Sequence, residues 1–332
     1  MSEPAPAPSV IESKSKVRQI KYLTVGEFVD RHGGHLHLEP GGRNGGRERK
    51  ISEPSTNRPG LALAGFYLYF AYKRIQVLGN SEFAYLNSLS EAAQRKAFRA
   101  VCQSDIPCIV TCRGRHLPPD MLEIADEAGV SVYRSSMNTM KFINSCTLWL
   151  DWEFAPVASE HGCMVDVKGI GVLIKGESGV GKSEAVLGLL ERGASLVADD
   201  KVRFRAPEGR ELTGMAEELG RFHLEVRGLG IVNVPLLFGV ASMRVEKRLD
   251  LVVHLKPLEK FVEMDRLGTE QRYYRLMGID IPYAEIPVAP GRDVARMVEV
   301  AALEYKLRSF GHHSAVEFNK KLLQLMEEKR IS

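Results

Sequence analysis

Eight consecutive residues constrain this chain more than any other feature. Gly176, Glu177, Ser178, Gly179, Val180, Gly181, Lys182 and Ser183 satisfy the spacing G-x-x-x-x-G-K-[ST] in full. The flanks fit such a loop. "MVDVKGIGVLIKG" (164–176) reads as a pair of strands joined by a turn, so an apolar strand leads into the loop. Ser183 to Arg192 reads as a helix with Ala185, Val186, Leu189 and Leu190 on one face, and Gly193 stands where a helix C-terminal glycine is expected. Glycines let backbone N–H groups converge on phosphate oxygens without side-chain obstruction, and the N-terminus of the helix adds partial positive charge. In that setting Lys182 reaches the β and γ phosphates of a nucleotide, and the Ser183 hydroxyl is placed for Mg²⁺.

A short apolar strand, "SLVA" (195–198), then delivers Asp199 and Asp200. Next to a phosphate site, one carboxylate holds Mg²⁺ through water and the other accepts a proton from an attacking hydroxyl. Adjacent carboxylates repel, so a bound cation favours keeping both. His161, before Gly162, and Glu225 in "FHLEVRGLGIVNV" (222–234) are further candidates, the latter as a metal ligand. Arg227, Gly228 and Gly230 form a turn between apolar residues. Spacing alone equally allows a surface histidine and an ordinary turn. Among nucleotide-loop proteins, a GTPase needs N-K-x-D, and Asn319-Lys320-Lys321-Leu322 fails that pattern. No clear strand-acid and arginine-finger set marks a motor ATPase. The parts of a kinase are present: loop, Mg²⁺ ligands and a base.

The chain has 332 residues, enough for two domains, and 44% are apolar, enough for sizeable cores. Lys+Arg is 45 against 42 Asp+Glu, a net of +3, which gives no case for nucleic-acid binding. The polar first twenty residues lack a signal-peptide core, and no apolar run approaches the length of a membrane span. A cytoplasmic protein is expected. The five cysteines are expected to be reduced thiols, although Cys108, Cys112 and the nearby His116 admit a metal reading.

Residues 1–17 read as a disordered tail, 18–146 as an α/β domain and 147–332 as the catalytic domain. The Gly/Arg/His-rich stretch 31–60 reads as an exposed loop, whose His32, His35 and His37 are poorly held for metal binding. Two helices, about 293–309 and 314–328, are expected to close the chain. The second carries a capping box of Ser314 with Glu317 and an apolar stripe of Phe318, Leu322 and Leu325.

"GESGVGKS" (176–183), "LVADDKV" (196–202), "LEVRGLGIVNV" (224–234), "DRLG" (265–268) and "PVAPGR" (287–292) follow His161-Gly162 in order. This combination closely resembles bacterial HPr kinase/phosphorylase. "RPGLALAGF" (58–66) and "RIQVLGNSEFAYL" (74–86) are similar to that family's N-terminal domain, so the resemblance covers about residues 18–330. It implies an N-terminal α/β domain followed by a P-loop kinase domain of the HPr kinase/PEP carboxykinase-like type. It further implies ATP-dependent phosphorylation of a serine of the phosphocarrier protein HPr, and removal of that phosphate by inorganic phosphate with release of pyrophosphate. Asp200 would be the base in one direction and the acid in the other. His161, Lys182 and Arg266 match catalytic positions, and Ser183 and Glu225 match Mg²⁺ ligands. Residues 224–233, with Arg227 and Gly228, match the segment used in both directions. Pro287 to Arg292 match the segment tied to dephosphorylation. The family forms a homohexamer. Glu177 stands where the family commonly has Asp, and the stretch 33–50 looks like an insertion or a divergent loop. Two other readings of the residues are a P-loop kinase of a small metabolite and a non-catalytic ATP-sensing module.

Overall fold

A computed structural model describes residues 9–261 and 271–312, and positions 317, 318, 321, 324 and 326 beyond them. The chain divides into two compact units, Gln19–Ala155 and Met1–Arg18 with Pro156–Ser332.

The first unit is a five-stranded sheet in the order Leu38–Pro40, Ser131–Ser135, Cys108–Thr111, Ile75–Leu78, Thr56–Asn57. The last four are mutually parallel, and the strands at 75–78 and 108–111 are buried along their whole length. Strands covered on both faces read as unbroken apolar runs, as "CIVT" does. Side chains alternate between two cores. Leu78, Ile109 and Val132 pack with the helices Glu91–Cys102 and Pro119–Glu127. Ile75, Val77 and Val110 pack with the helix Thr139–Phe154. That last helix corrects the expected domain boundary at 146/147. Cys146, Leu150 and Phe154 all face the first unit's core, so the helix continues to Phe154 and the division falls at 155/156.

The stretch 31–60 is not one exposed loop. It contributes strands Leu38–Pro40, Lys50–Ile51 and Thr56–Asn57. His32 is buried, stacks on Trp149 at 4.5 Å between ring centroids, and places Nε2 2.9 Å from Glu153 Oε1. His35 stacks on Trp149 at 5.0 Å. These histidines are engaged in packing, and among the described residues no group of three His, Cys, Asp or Glu is arranged to hold a metal.

The second unit has three layers. Its seven-stranded sheet runs Ser9–Glu12, Arg272–Leu276, Ile279–Val288, Leu251–Pro257, Ile170–Gly176, Cys163–Val167, Ser195–Ala198. One face packs on the helices Lys182–Glu191 and Val294–Ser309 through Val172, Ile174, Leu189, Val253 and Val298. The opposite face, with Met164, Leu173 and Val252, packs on a four-stranded sheet that contains Val157–His161 and Lys201–Arg205 through Ala158, Val202 and Phe204. The expected helix 293–309 begins at Val294, capped by Asp293 Oδ1 accepting from the Arg296 N–H at 2.9 Å. The expected helix 314–328, its capping box and its stripe lie largely outside the described residues, as does Arg266.

The N-terminal tail differs from expectation. Ser9–Glu12 is a strand that pairs in parallel with Arg272–Leu276, in a register running from Ser9 opposite Arg272 to Glu12 opposite Arg275. An open sheet edge can take up the backbone donors and acceptors of a polar segment, and side-chain composition carries no sign of that. No described helix is long and apolar enough to cross a membrane.

Candidate active site

The candidate residues gather because of strand direction. Cys163–Val167 runs antiparallel to both Ile170–Gly176 and Ser195–Ala198, so those two are parallel and end on the same side. The phosphate loop and Asp199-Asp200 therefore leave the sheet at one edge, separated by one strand, about 10 Å at two strand spacings. His161-Gly162 enters the intervening strand at that same end. Leu251–Pro257 and Ile279–Val288 are parallel to the loop strand and bring Pro287, opposite Lys256, to this end too. Arg292 follows in a turn closed by its own N–H donating to the Ala289 carbonyl at 3.1 Å. Open α/β sheets bind ligands beyond the carboxyl ends of parallel strands, where this cluster lies.

The loop is shaped by its glycines. Gly176 sits at φ +152°, and a Cβ there would come within 2.7 Å of the Leu255 carbonyl oxygen, so only glycine fits beside the neighbouring strand. A Cβ on Gly179 would lie 3.0 Å from the Arg227 Nη1, which places the guanidinium of the 223–233 hairpin directly against the loop. Lys182, first residue of the helix, folds back and donates from Nζ to the carbonyls of Gly176 and Glu177, each at 3.1 Å. A phosphate at the loop offers this ammonium stronger acceptors than two neutral carbonyls. Ser183 follows within the first turn. Glu177 pairs with Lys260 at 2.7 Å, and that ammonium holds its carboxyl below the ordinary range.

Asp199 and Asp200 have distinct surroundings. They form the crossover between sheets, since Ser195–Ala198 belongs to the seven-stranded sheet and Lys201–Arg205 to the four-stranded one. Asp199 Oδ1 accepts from the Cys163 thiol at 2.9 Å, and Oδ2 accepts from the Glu225 backbone N–H at 2.9 Å. The carboxylate thus fastens the hairpin carrying Glu225, Arg227 and Gly228 to the strand after His161. Asp200 takes the left-handed conformation at φ +58°, its carbonyl accepts from the Gly162 N–H at 3.0 Å, and the residue is exposed. His161 pairs in register with Lys201 and is exposed beside it. Glu225 is exposed on the strand His223–Val226.

Cys163 carried no functional signal in the sequence. It is buried, and burial first, then the Asp199 carboxylate, pushes its thiol well up; Lys182 lies close enough to oppose that shift. Burial likewise pushes Cys102 and Cys108 up to about 12 and Cys112 up to about 11. Because the thiolate is the reactive form, none of the five buried cysteines should take up iodoacetamide in the native protein at pH 8. Intact-mass measurement should show no adduct natively and adducts on every cysteine in denaturant. A native adduct on Cys163 would contradict this placement.

The oxygen donors at this edge, the Ser183 hydroxyl and the Glu225 carboxylate, suit a hard divalent cation. Mg²⁺ takes few protein ligands and completes its shell with phosphate oxygens and water, so no ready-made cage is required.

A phosphate loop, its lysine and a carboxylate pair at one sheet edge define the P-loop phosphotransferases. The chain belongs to the HPr serine kinase family: the model of the HPr serine kinase N terminus matches residues 23–150 and that of its C-terminal domain matches 152–322. An HPr kinase/phosphorylase of Chloroherpeton thalassium is 39% identical over 95% of this chain and 93% of the relative. One of Bacillus pumilus is 40% identical over 88% of this chain and 94% of its own. One of Leptospira biflexa is 41% identical over 86% and 89%. Family membership favours a protein-serine kinase and phosphorylase over a metabolite kinase or a sensing module.

Proposed function

We propose that this protein transfers the γ-phosphoryl group of ATP to a serine of HPr and reverses the modification with inorganic phosphate, releasing pyrophosphate. The observation that carries the reading is the convergence of Lys182, His161, the Asp199-Asp200 crossover and the Glu225 hairpin at the carboxyl edge of one sheet. Forward, the serine oxygen forms its bond to the γ-phosphorus, the bond to the β,γ-bridging oxygen breaks, ADP leaves, and the serine proton passes to Asp200. In reverse, a phosphate oxygen attacks the phosphoserine phosphorus, the P–O(Ser) bond breaks, and protonated Asp200 returns the proton to the serine oxygen. The serine oxygen gives up its proton in one direction and regains it in the other, so one positioned carboxyl group can serve both ways. Lys182 swings from its loop carbonyls to the β and γ oxygens, where the charge to be stabilised is the same in both directions. Mg²⁺, held by Ser183 and Glu225, supplies charge neutralisation at the phosphates when bound.

His161, Arg266 and the segment Pro287 to Arg292 are assigned to the site on the motif match. The same match supports a homohexamer and a cytoplasmic location. A macromolecular acceptor is supported independently. Leu229, Ile231, Leu236, Leu237 and Val240, on and beside the Glu225 hairpin, are 63–84% exposed, an apolar surface of the kind that marks protein contacts. A small metabolite needs no such rim. The test is incubation with ATP, Mg²⁺ and purified HPr, followed by phosphate. Phosphoserine should form on HPr and then disappear with release of pyrophosphate. Absence of phosphoserine on HPr alongside ATP turnover on a small acceptor would overturn the reading.

A further inference from the structure

Glu160 immediately precedes His161, yet points the other way, into the protein, where it is 4% exposed. A buried carboxylate is costly unless paired and fully hydrogen-bonded, and this one is both. Its Oε2 is paired with Lys175 Nζ and accepts from the Tyr274 hydroxyl at 3.0 Å. Its Oε1 accepts from the Ser13 hydroxyl, and the Ser15 hydroxyl lies 2.7 Å away. The Tyr274 hydroxyl also accepts from Lys175 Nζ at 3.0 Å. Lys175, Tyr274 and Ser13 donate to the carboxylate, and the single proton of the Ser15 hydroxyl is shared between Oε1 and the Ser159 carbonyl, 2.6 Å away.

These partners come from separate parts of the site's frame. Glu160 lies on the four-stranded sheet, which also carries His161 and, through Lys201, the backbone of Asp200. Lys175 lies on the seven-stranded sheet, one residue before Gly176 of the phosphate loop. The ion pair is therefore a cross-sheet tie between the half that holds the proton-transfer groups and the half that holds the nucleotide. Ser13 and Ser15 belong to the N-terminal tail, and the tail grips both sheets. Its strand Ser9–Glu12 is the edge of the seven-stranded sheet, and the Ser13 N–H donates to the Arg275 carbonyl at 2.9 Å. Further on, Arg18 and Val157 exchange backbone bonds at 2.8 and 2.7 Å at the start of the strand that ends in His161. Between these anchors the two serines reach Glu160.

We infer that Glu160 is a positioning residue of the transfer reaction, and that residues 9–18 are a strap that completes its hydrogen-bond set and locks the two sheets in register across the active site. Neither Glu160 nor the tail touches the reacting atoms. Their effect passes through His161 and Asp200 on one side and Gly176 on the other. Misplacing reacting groups by about 1 Å costs up to about a hundredfold in rate, so a modest shift between the sheets is enough to matter.

The inference rests on the phosphotransfer reading, and wild-type turnover on HPr is the reference for every variant. Without wild-type turnover that reading fails; with it, only the comparisons below decide the strap. Glu160→Gln leaves the Lys175 ammonium unpaired. It should lower kcat about 10- to 100-fold while KM and Kd for ATP stay within about twofold. Ser13→Ala/Ser15→Ala and a chain starting at residue 17 should lower kcat about 3- to 10-fold with the same split. Hydrogen exchange should rise in peptides covering 157–163 and 175–183 in every one of these variants, and in the truncated chain also over 272–276, which loses its pairing with 9–12. Glu160→Met/Lys175→Met separates positioning from stability, since replacing a buried ion pair by apolar side chains commonly preserves the fold. Its melting temperature should stay near wild type while kcat stays low. The inference is overturned if the double variant recovers kcat along with stability. It is equally overturned if the serine variants and the truncation turn over at the wild-type rate.

Discussion

Lys182→Ala is expected to lower kcat about 10³-fold in both directions, a loss of transition-state stabilisation of about 4 kcal/mol at 1.36 kcal/mol per tenfold. The side chain is half-buried, and its polar partners are the carbonyls of Gly176 and Glu177. The folded protein therefore loses little, and the melting transition should not move. The reaction loses its cation at the oxygens where charge builds as the phosphoryl group passes between donor and acceptor. Because the same group is transferred each way, kinase and phosphorolysis rates should fall in proportion. The check is steady-state kinetics on HPr and on phosphoserine-HPr. Retention of ATP-dependent turnover by the variant would remove the loop from the mechanism.

Asp200→Asn should reduce both directions together, by about 10²- to 10⁴-fold, the usual contribution of a positioned acid–base group. The substitution is well isolated. Asp200 occupies a left-handed conformation at φ +58°, which Asn tolerates as readily as Asp. The Gly162 N–H bond to its carbonyl is a backbone contact that survives. What disappears is the ability to take or give a proton, so ATP affinity should be nearly unchanged. Asp199→Asn is a contrasting control. Both Asp199 oxygens accept, one from the Cys163 thiol and one from the Glu225 N–H. An amide must turn its NH₂ toward one of those donors, which loosens the hairpin that carries Glu225. Loss of kinase activity with phosphorolysis intact in the Asp200→Asn variant would refute a shared carboxylate.

How far the site could be read from the chain follows from what each residue's role depends on. The phosphate loop was legible because its chemistry is local: glycine backbone, helix N-terminus, lysine and hydroxyl all lie within eight residues. The Asp199-Asp200 pair was legible as an acidic step after an apolar strand. The helix at 183–192 and the strand pair at 164–176 were legible through apolar periodicity, and the observed elements agree with them to within a residue or two. Glu160, Lys175 and Tyr274 were not legible. Each is an ordinary residue in its own segment, and they become a cluster only where two sheets stack. Cys163 read only as one of five reduced thiols, since nothing near it in sequence announces Asp199, 36 positions away. The tail read as disordered because side-chain composition says nothing about a free sheet edge 263 residues further along.

The order of residues alone determined that the spacing G-x-x-x-x-G-K-[ST] stands at 176–183 after an apolar strand, that acids follow it, and which family the chain resembles. Those properties depend on neighbours along the backbone, whose spacing is covalent. The tertiary structure decided which acid faces outward and which is used to fasten a hairpin, where the domain break falls, and that residues 9–18 belong to the catalytic unit. Those outcomes depend on strand direction, sheet stacking and burial, which bring together groups that the chain itself keeps more than a hundred residues apart.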